Sequence, residues 1–168
     1  MGNEVLLRED LDEAALCQAI ATVKRALPHV PVGTVDAYYL FCEHPALVEA
    51  SDVLLINCYP FWEECSLEHS LAYMQEMVAR VERVAGGRPI VISETGWPSD
   101  GTPVGAALPS ERNALLYVLN SIAWTSSAGL DLFSFSSFDE AWKAGPEGGC
   151  GPHWSFWDTK GRPRYGWR

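Results

Sequence analysis

Apolar residues along the chain recur with two alternating periods, which predicts helices and strands in turn. Leu16, Ile20, Val23 and Leu27 share one helical face, opened by a capping box at Asp10 and Glu13 and followed by Pro28. A strand is expected over residues 30–36, a short helix over residues 45–50, and a nearly continuous apolar strand over residues 52–58. Ser66 opens a longer helix with Leu71, Met74, Val78, Val81 and Ala85 along its stripe, closed by Gly86-Gly87. Val91 and Ile92 form a buried strand that Gly96 and Pro98 bring to an end. Pro109 starts a helix whose inward face carries Leu115, Leu119 and Ile122, with Leu108 just before it. Gly129 stops this helix before a strand over residues 130–136. The remainder is rich in Gly, Pro and Trp and shows no long helical pattern.

Helix and strand in alternation imply a parallel sheet. At 168 residues the chain is one domain's worth, taken as a single unit over residues 1–168. A complete (β/α)8 barrel takes about 250 residues. The composition, 48% hydrophobic and 20% charged, is globular. No apolar run approaches the ~20 residues of a membrane span, and the first residues show no signal-peptide pattern.

A net charge of −10 argues against nucleic acid as a partner, whereas a neutral polysaccharide asks for no charge complement. Cys17, Cys42, Cys58, Cys65 and Cys150 form no Cys-x-x-Cys pair, so free, mostly buried thiols are expected. The four histidines are scattered, without spacing suited to a metal, and no phosphate loop or serine-hydrolase elbow is present. Neither a metal nor a cofactor is therefore expected.

Two carboxylates stand at strand ends, Glu94 in Ser93-Glu94-Thr95-Gly96-Trp97-Pro98-Ser99 and Glu4 in Gly2-Asn3-Glu4. Paired carboxylates at strand ends, with an aromatic beside one of them, suggest glycosidic bond cleavage. Trp62, Trp97 and Trp142 each follow a strand on the same expected rim, where flat apolar faces stack on pyranose rings. Trp124 is expected in the core, and at least one of Tyr38 and Tyr39 toward the cleft.

Met1-Gly2-Asn3-Glu4-Val5-Leu6, Asn57-Cys58-Tyr59-Pro60, the Glu94 run and Phe138-Asp139-Glu140-Ala141-Trp142-Lys143 follow one another in the order of a known family. The chain resembles the C-terminal half of a glycoside hydrolase family 17 enzyme, a β-1,3-glucanase or β-1,3-glucanosyltransferase. The resemblance covers almost the whole chain and about half of the family's barrel. It implies an α/β half-barrel of about four parallel strands, with Glu4 ending a further one. It also implies Glu94 as nucleophile and Glu4 as acid/base in a retaining mechanism. Asn3 would bond the sugar 2-hydroxyl, Tyr59 would donate to Glu94, and Glu140 with Lys143 would line the cleft.

The implied ligand is a β-glucan oligo- or polysaccharide, and the implied location is extracellular or periplasmic. Open strand edges, with Val32, Leu55 and Ile92 on an uncovered inner face, further suggest a homodimer, with an open or rearranged monomer and the loss of a separate partner fragment as the alternatives. Two rival readings stand beside the enzyme: a glucan-binding half-barrel without turnover, and a structural half-barrel without ligand.

Overall fold

The computed structural model describes residues 2–145 and 147–166; Met1, at the head of the first motif, lies outside them. Four strands, β1 (Val35–Ala37), β2 (Leu54–Asn57), β3 (Ile90–Thr95) and β4 (Asp131–Ser134), form one parallel sheet in the order β1-β2-β3-β4. Between them lie α2 (Tyr38–Glu43), α3 (Pro45–Ala50), α4 (Leu67–Glu82) and α5 (Glu111–Ala128), with α1 (Glu13–Ala26) ahead of β1. This is the α/β alternation expected. Among the described residues after β4, the named elements are two short 3₁₀ turns, Ala141–Lys143 and Gly151–His153.

The backbone gathers into two compact units. One holds the residues up to Cys58 together with Gln75–Ser93. Its core packs Leu16 and Ile20 of α1, Phe41 of α2, Leu47 and Val48 of α3, and Leu54 and Ile56 of β2, all nearly or wholly buried. Val35, Asp36 and Ala37 pair in parallel with Leu55, Ile56 and Asn57. The segment 30–34 joins no ladder, because Pro31 lacks a donor and Gly33 runs close against a neighbour. A Cβ on Gly33 would sit 2.2 Å from the Val53 carbonyl oxygen. Val32 is held instead by Asp52, whose backbone N–H donates to the Val32 carbonyl at 2.8 Å.

The capping residue of α1 is Asp12, accepting from the Ala15 N–H at 2.8 Å, and not Asp10, which pairs with Arg8. Asp10 lies too far upstream to reach an unpaired first-turn donor. Ile92 and Val32 are buried at 0% and 7% exposure, so neither lies on an open inner face.

The other unit holds Tyr59–Met74 and the residues from Glu94 onward. Here α5 turns a different face inward from the one its leucines suggest. Ala114, Tyr117, Val118, Ser121 and Thr125 are buried, whereas Leu108, Leu119 and Ile122 are exposed. Small residues let the helix approach closely, and the Ser121 and Thr125 hydroxyls donate to carbonyls one turn back. Their polarity is thus satisfied within the helix, so the hydrophobic pattern alone picked the wrong side. Gly129 ends α5 in the left-handed conformation (φ 68°), as expected from its place. Trp124 is only half-buried.

Candidate active site

Glu4 lies in a tight turn that the first unit fastens to β1. Asn3 bridges Val35 in parallel, the Glu4 N–H donates to the Val35 carbonyl at 2.8 Å, and the Val35 N–H donates to the Gly2 carbonyl at 3.2 Å. Glu4 itself adopts φ 54°, a conformation that costs a non-glycine residue about 1–2 kcal/mol and needs such bonds to persist. The fully buried Asp36 adds a clamp: one oxygen accepts from the Leu6 N–H at 2.9 Å, the other from the Ala37 N–H at 3.0 Å.

The Glu4 side chain is met by Asn57, at the end of β2. Asn57 Nδ2 donates to Glu4 Oε1 at 3.0 Å and to Asn3 Oδ1 at 3.2 Å, while its Oδ1 accepts from the Ser93 hydroxyl at 2.8 Å. Sequence reasoning placed Asn57 in a motif but gave it no part in the site. The signal available was a polar residue closing an otherwise apolar strand.

In the second unit, Glu94 follows directly on Ser93 along β3, and the Tyr59 hydroxyl donates to its Oε2 at 2.9 Å. Gly96 allows the chain to pass here, since a Cβ would come 2.3 Å from the Phe135 carbonyl oxygen. The Tyr59 ring meets Trp154 edge-on at 5.5 Å and Phe135 at 6.5 Å. The Lys143 ammonium lies 4.3 Å above the Phe135 ring and 2.7 Å from Glu140 Oε2. Glu140 and Lys143 are therefore joined to the Tyr59 neighbourhood through Phe135. The sequence places Phe135 only as one residue of the expected strand over residues 130–136 and leaves Trp154 open between cleft and core, since an aromatic in a Gly- and Pro-rich tail shows no periodicity to place it.

The three loop tryptophans differ. Trp142 is 75% exposed, its ring 5.1 Å from the Lys143 ammonium, and Trp62 is 39% exposed against Trp154 and Phe61. Trp97 is 3% exposed, its indole N–H donating to the Leu108 carbonyl at 2.9 Å, with Phe61 and Tyr117 beside its ring. It supports the loop from beneath and presents no face to a sugar. Tyr38 is likewise buried, its hydroxyl accepting from Arg80 at 3.1 Å.

All five cysteines are free, and burial pushes the Cys17, Cys42, Cys65 and Cys150 thiols up. Among the described residues there is no group of His, Cys, Asp and Glu that could hold a metal. No described helix is long and apolar enough to cross a membrane.

Carboxylates carried near the strand ends of a parallel α/β sheet are an arrangement that barrel glycosidases use. The sequence profile of the BtgE/BtgC glycoside hydrolase domain matches residues 1–155, and the chain belongs to this family, within the glycoside hydrolase family 17 group. It is 29% identical over 181 residues to a glucan 1,3-beta-glucosidase of Arthroderma benhamiae, covering 98% of this chain and 59% of that one. A glucan 1,3-beta-glucosidase of Candida albicans is 28% identical over 188 residues, with 98% and 60% covered.

The crystal structure of the family 17 beta-1,3-glucanosyltransferase from Rhizomucor miehei superposes with a TM-score of 0.90 at 30% identity, over 98% of this chain and 60% of that one. An active-site mutant of that enzyme in complex with laminaritriose gives a TM-score of 0.89. The chain thus spans about 60% of the length of the relatives it matches, and its four strands correspond to part of their barrel.

Proposed function

We propose that this chain carries the two carboxylates of a retaining glycosidase acting on β-1,3-glucan. Glu94 is the nucleophile and Glu4 the acid/base. In the first step the Glu4 carboxyl gives its proton to the leaving glycosidic oxygen while a Glu94 oxygen attacks the anomeric carbon. The sugar–oxygen bond breaks and a glycosyl ester forms on Glu94. In the second step the Glu4 carboxylate takes a proton from water or a sugar hydroxyl. That oxygen attacks the anomeric carbon and releases Glu94, giving hydrolysis or transglycosylation.

The observation that carries this reading is the Tyr59 hydroxyl on Glu94 Oε2, a donor that favours the ionised carboxylate a nucleophile needs. Asn3 would bond the sugar 2-hydroxyl, and Glu140, Lys143, Trp142 and Trp62 would line the glucan path. Support for the substrate class comes from the similarity to glucan 1,3-beta-glucosidases and to an enzyme whose mutant was solved with laminaritriose. Incubation with laminari-oligosaccharides, followed by product sizing, is the test. Shorter products denote hydrolysis and longer ones transglycosylation. Glucan retention without turnover would favour the binding module, and the absence of both the structural one.

We further propose a homodimer. Strand β4 ends the sheet order and carries Phe133 at 64% exposure, an edge that a second copy can cover. Sedimentation at micromolar concentration should give twice the chain mass of 18.5 kDa; a stable species of one chain mass overturns it.

A further inference from the structure

We infer that Ser93 and Asn57 form a relay that sets the orientation of the Glu4 carboxyl, so that both are positioning residues for the acid/base. The inference rests on the reading of Glu4 just given. Asn57 is 97% buried by its 3% exposure, and its side chain has one acceptor and one two-proton donor to place. Glu4 Oε1 accepts, as does Asn3 Oδ1, so both bonds at 3.0 and 3.2 Å require Asn57 Nδ2 on their side. The amide oxygen is then turned the other way, where an apolar neighbour would leave it unpaired. Ser93 supplies the missing donor at 2.8 Å, and its hydroxyl is what makes this amide orientation the satisfied one.

Both amide protons are thereby committed, one to Glu4 and one to Asn3. The Glu4 carboxyl can rotate only by losing a bond to a buried donor. The same strand, β3, thus offers Ser93 to the support of one carboxylate and the next residue, Glu94, as the other. Ser93 needs no contact with substrate for this role. Its hydroxyl acts two bonds away, through Asn57.

The relay is tested on two readouts. The first needs only folded protein: the Asn57 side-chain amide pair in a ¹H–¹⁵N spectrum, assigned by its disappearance in Asn57→Asp. Glu4→Gln and Ser93→Ala should each move this pair, and Ser93→Thr, which keeps the hydroxyl, should return it toward its original position. An Asn57 pair unmoved by Ser93→Ala overturns the relay. If Ser93→Ala does not fold, the response to Glu4→Gln and Ser93→Thr decides in the same way, an Asn57 pair indifferent to Glu4→Gln again overturning it.

The second readout compares leaving groups. The dinitrophenolate of a dinitrophenyl β-laminaribioside departs without a proton, whereas the leaving sugar of a laminari-oligosaccharide needs the Glu4 proton. Ser93→Ala should lower kcat/KM for the oligosaccharide by roughly 10–100-fold and spare the dinitrophenyl substrate, because a misaimed acid matters only to the poor leaving group. Equal losses on both would mark Ser93 as merely structural and overturn its positioning role. A chain that turns over neither substrate, while its Asn57 pair responds as described, would sink the glycosidase reading and leave the hydrogen-bond relay standing.

Discussion

Tyr59 Oη and Glu94 Oε2 lie 2.9 Å apart, the phenol donating to the carboxylate. A donor at that distance stabilises charge on the oxygen it touches and fixes the carboxylate plane. The Tyr59 ring is held in turn by Trp154 and Phe135. The aromatic packing around Trp154 therefore has a chemical consequence, since it decides where the phenol points.

Glu94→Gln should remove glycosidase activity by several orders of magnitude while leaving the melting temperature nearly unchanged, because the amide fits the same space but cannot form the glycosyl ester. Tyr59→Phe should lower kcat by about 10–100-fold and keep the ring packing, since it deletes only the donor. Turnover measured beside thermal melts checks both. A folded Glu94→Gln protein with near-normal turnover would end the nucleophile assignment.

Trp97 and Trp142 should separate stability from binding. Trp97→Ala opens a cavity among Phe61, Tyr117 and the loop, and should cost about 3–5 kcal/mol of stability. Trp142→Ala removes an exposed ring, so the melting temperature should hold while oligosaccharide affinity falls. Calorimetric titration with a laminari-oligosaccharide, next to urea unfolding, distinguishes the two. Unchanged affinity in Trp142→Ala would take Trp142 off the glucan path.

The order of elements and the motif residues were legible in the sequence because local patterns carry them. Gly129, Pro45–Ala50 and the alternation of helix and strand all follow from turn chemistry and periodicity. The faces were less legible. Leu119 and Ile122 read as inward, yet α5 buries Ala114, Ser121 and Thr125, because close approach and internally bonded hydroxyls decided the contact.

Asn57 was overlooked for a related reason: its partners are 53 and 54 positions upstream and 36 downstream, and no periodic pattern links such distances. The same holds for Asp36, a buried carboxylate whose partner, the Leu6 N–H, lies 30 residues away.

The five thiols should titrate fully with a thiol reagent in denaturant and unequally in the native protein. Cys58 and Cys150 are almost wholly buried, and Cys150 also donates to the Thr102 carbonyl at 3.2 Å. Both should react more slowly than Cys17, Cys42 and Cys65 at pH 8, where the upward-shifted thiols among these remain mostly protonated. A count below five in denaturant, restored by a reductant, would reveal a disulfide and contradict the free-thiol state.

Acid should weaken the tie between α1 and the chain entering β2. The Lys24 ammonium bonds to Asp52 at 2.6 Å, and the Val32 N–H donates to the other carboxylate oxygen at 3.0 Å. These bonds, the one from Lys24 foremost, hold the Asp52 carboxyl below its ordinary value. A carboxyl whose folded pKa is depressed binds fewer protons folded than unfolded, so its contribution is complete above the unfolded value. It is lost as pH falls through the folded one. Asp52→Asn should therefore lower the urea midpoint at pH 7, and the gap from the parent chain should close on acidification. A gap that stays constant from pH 7 down to pH 3 would show that the Lys24–Asp52 pair contributes nothing to the acid response.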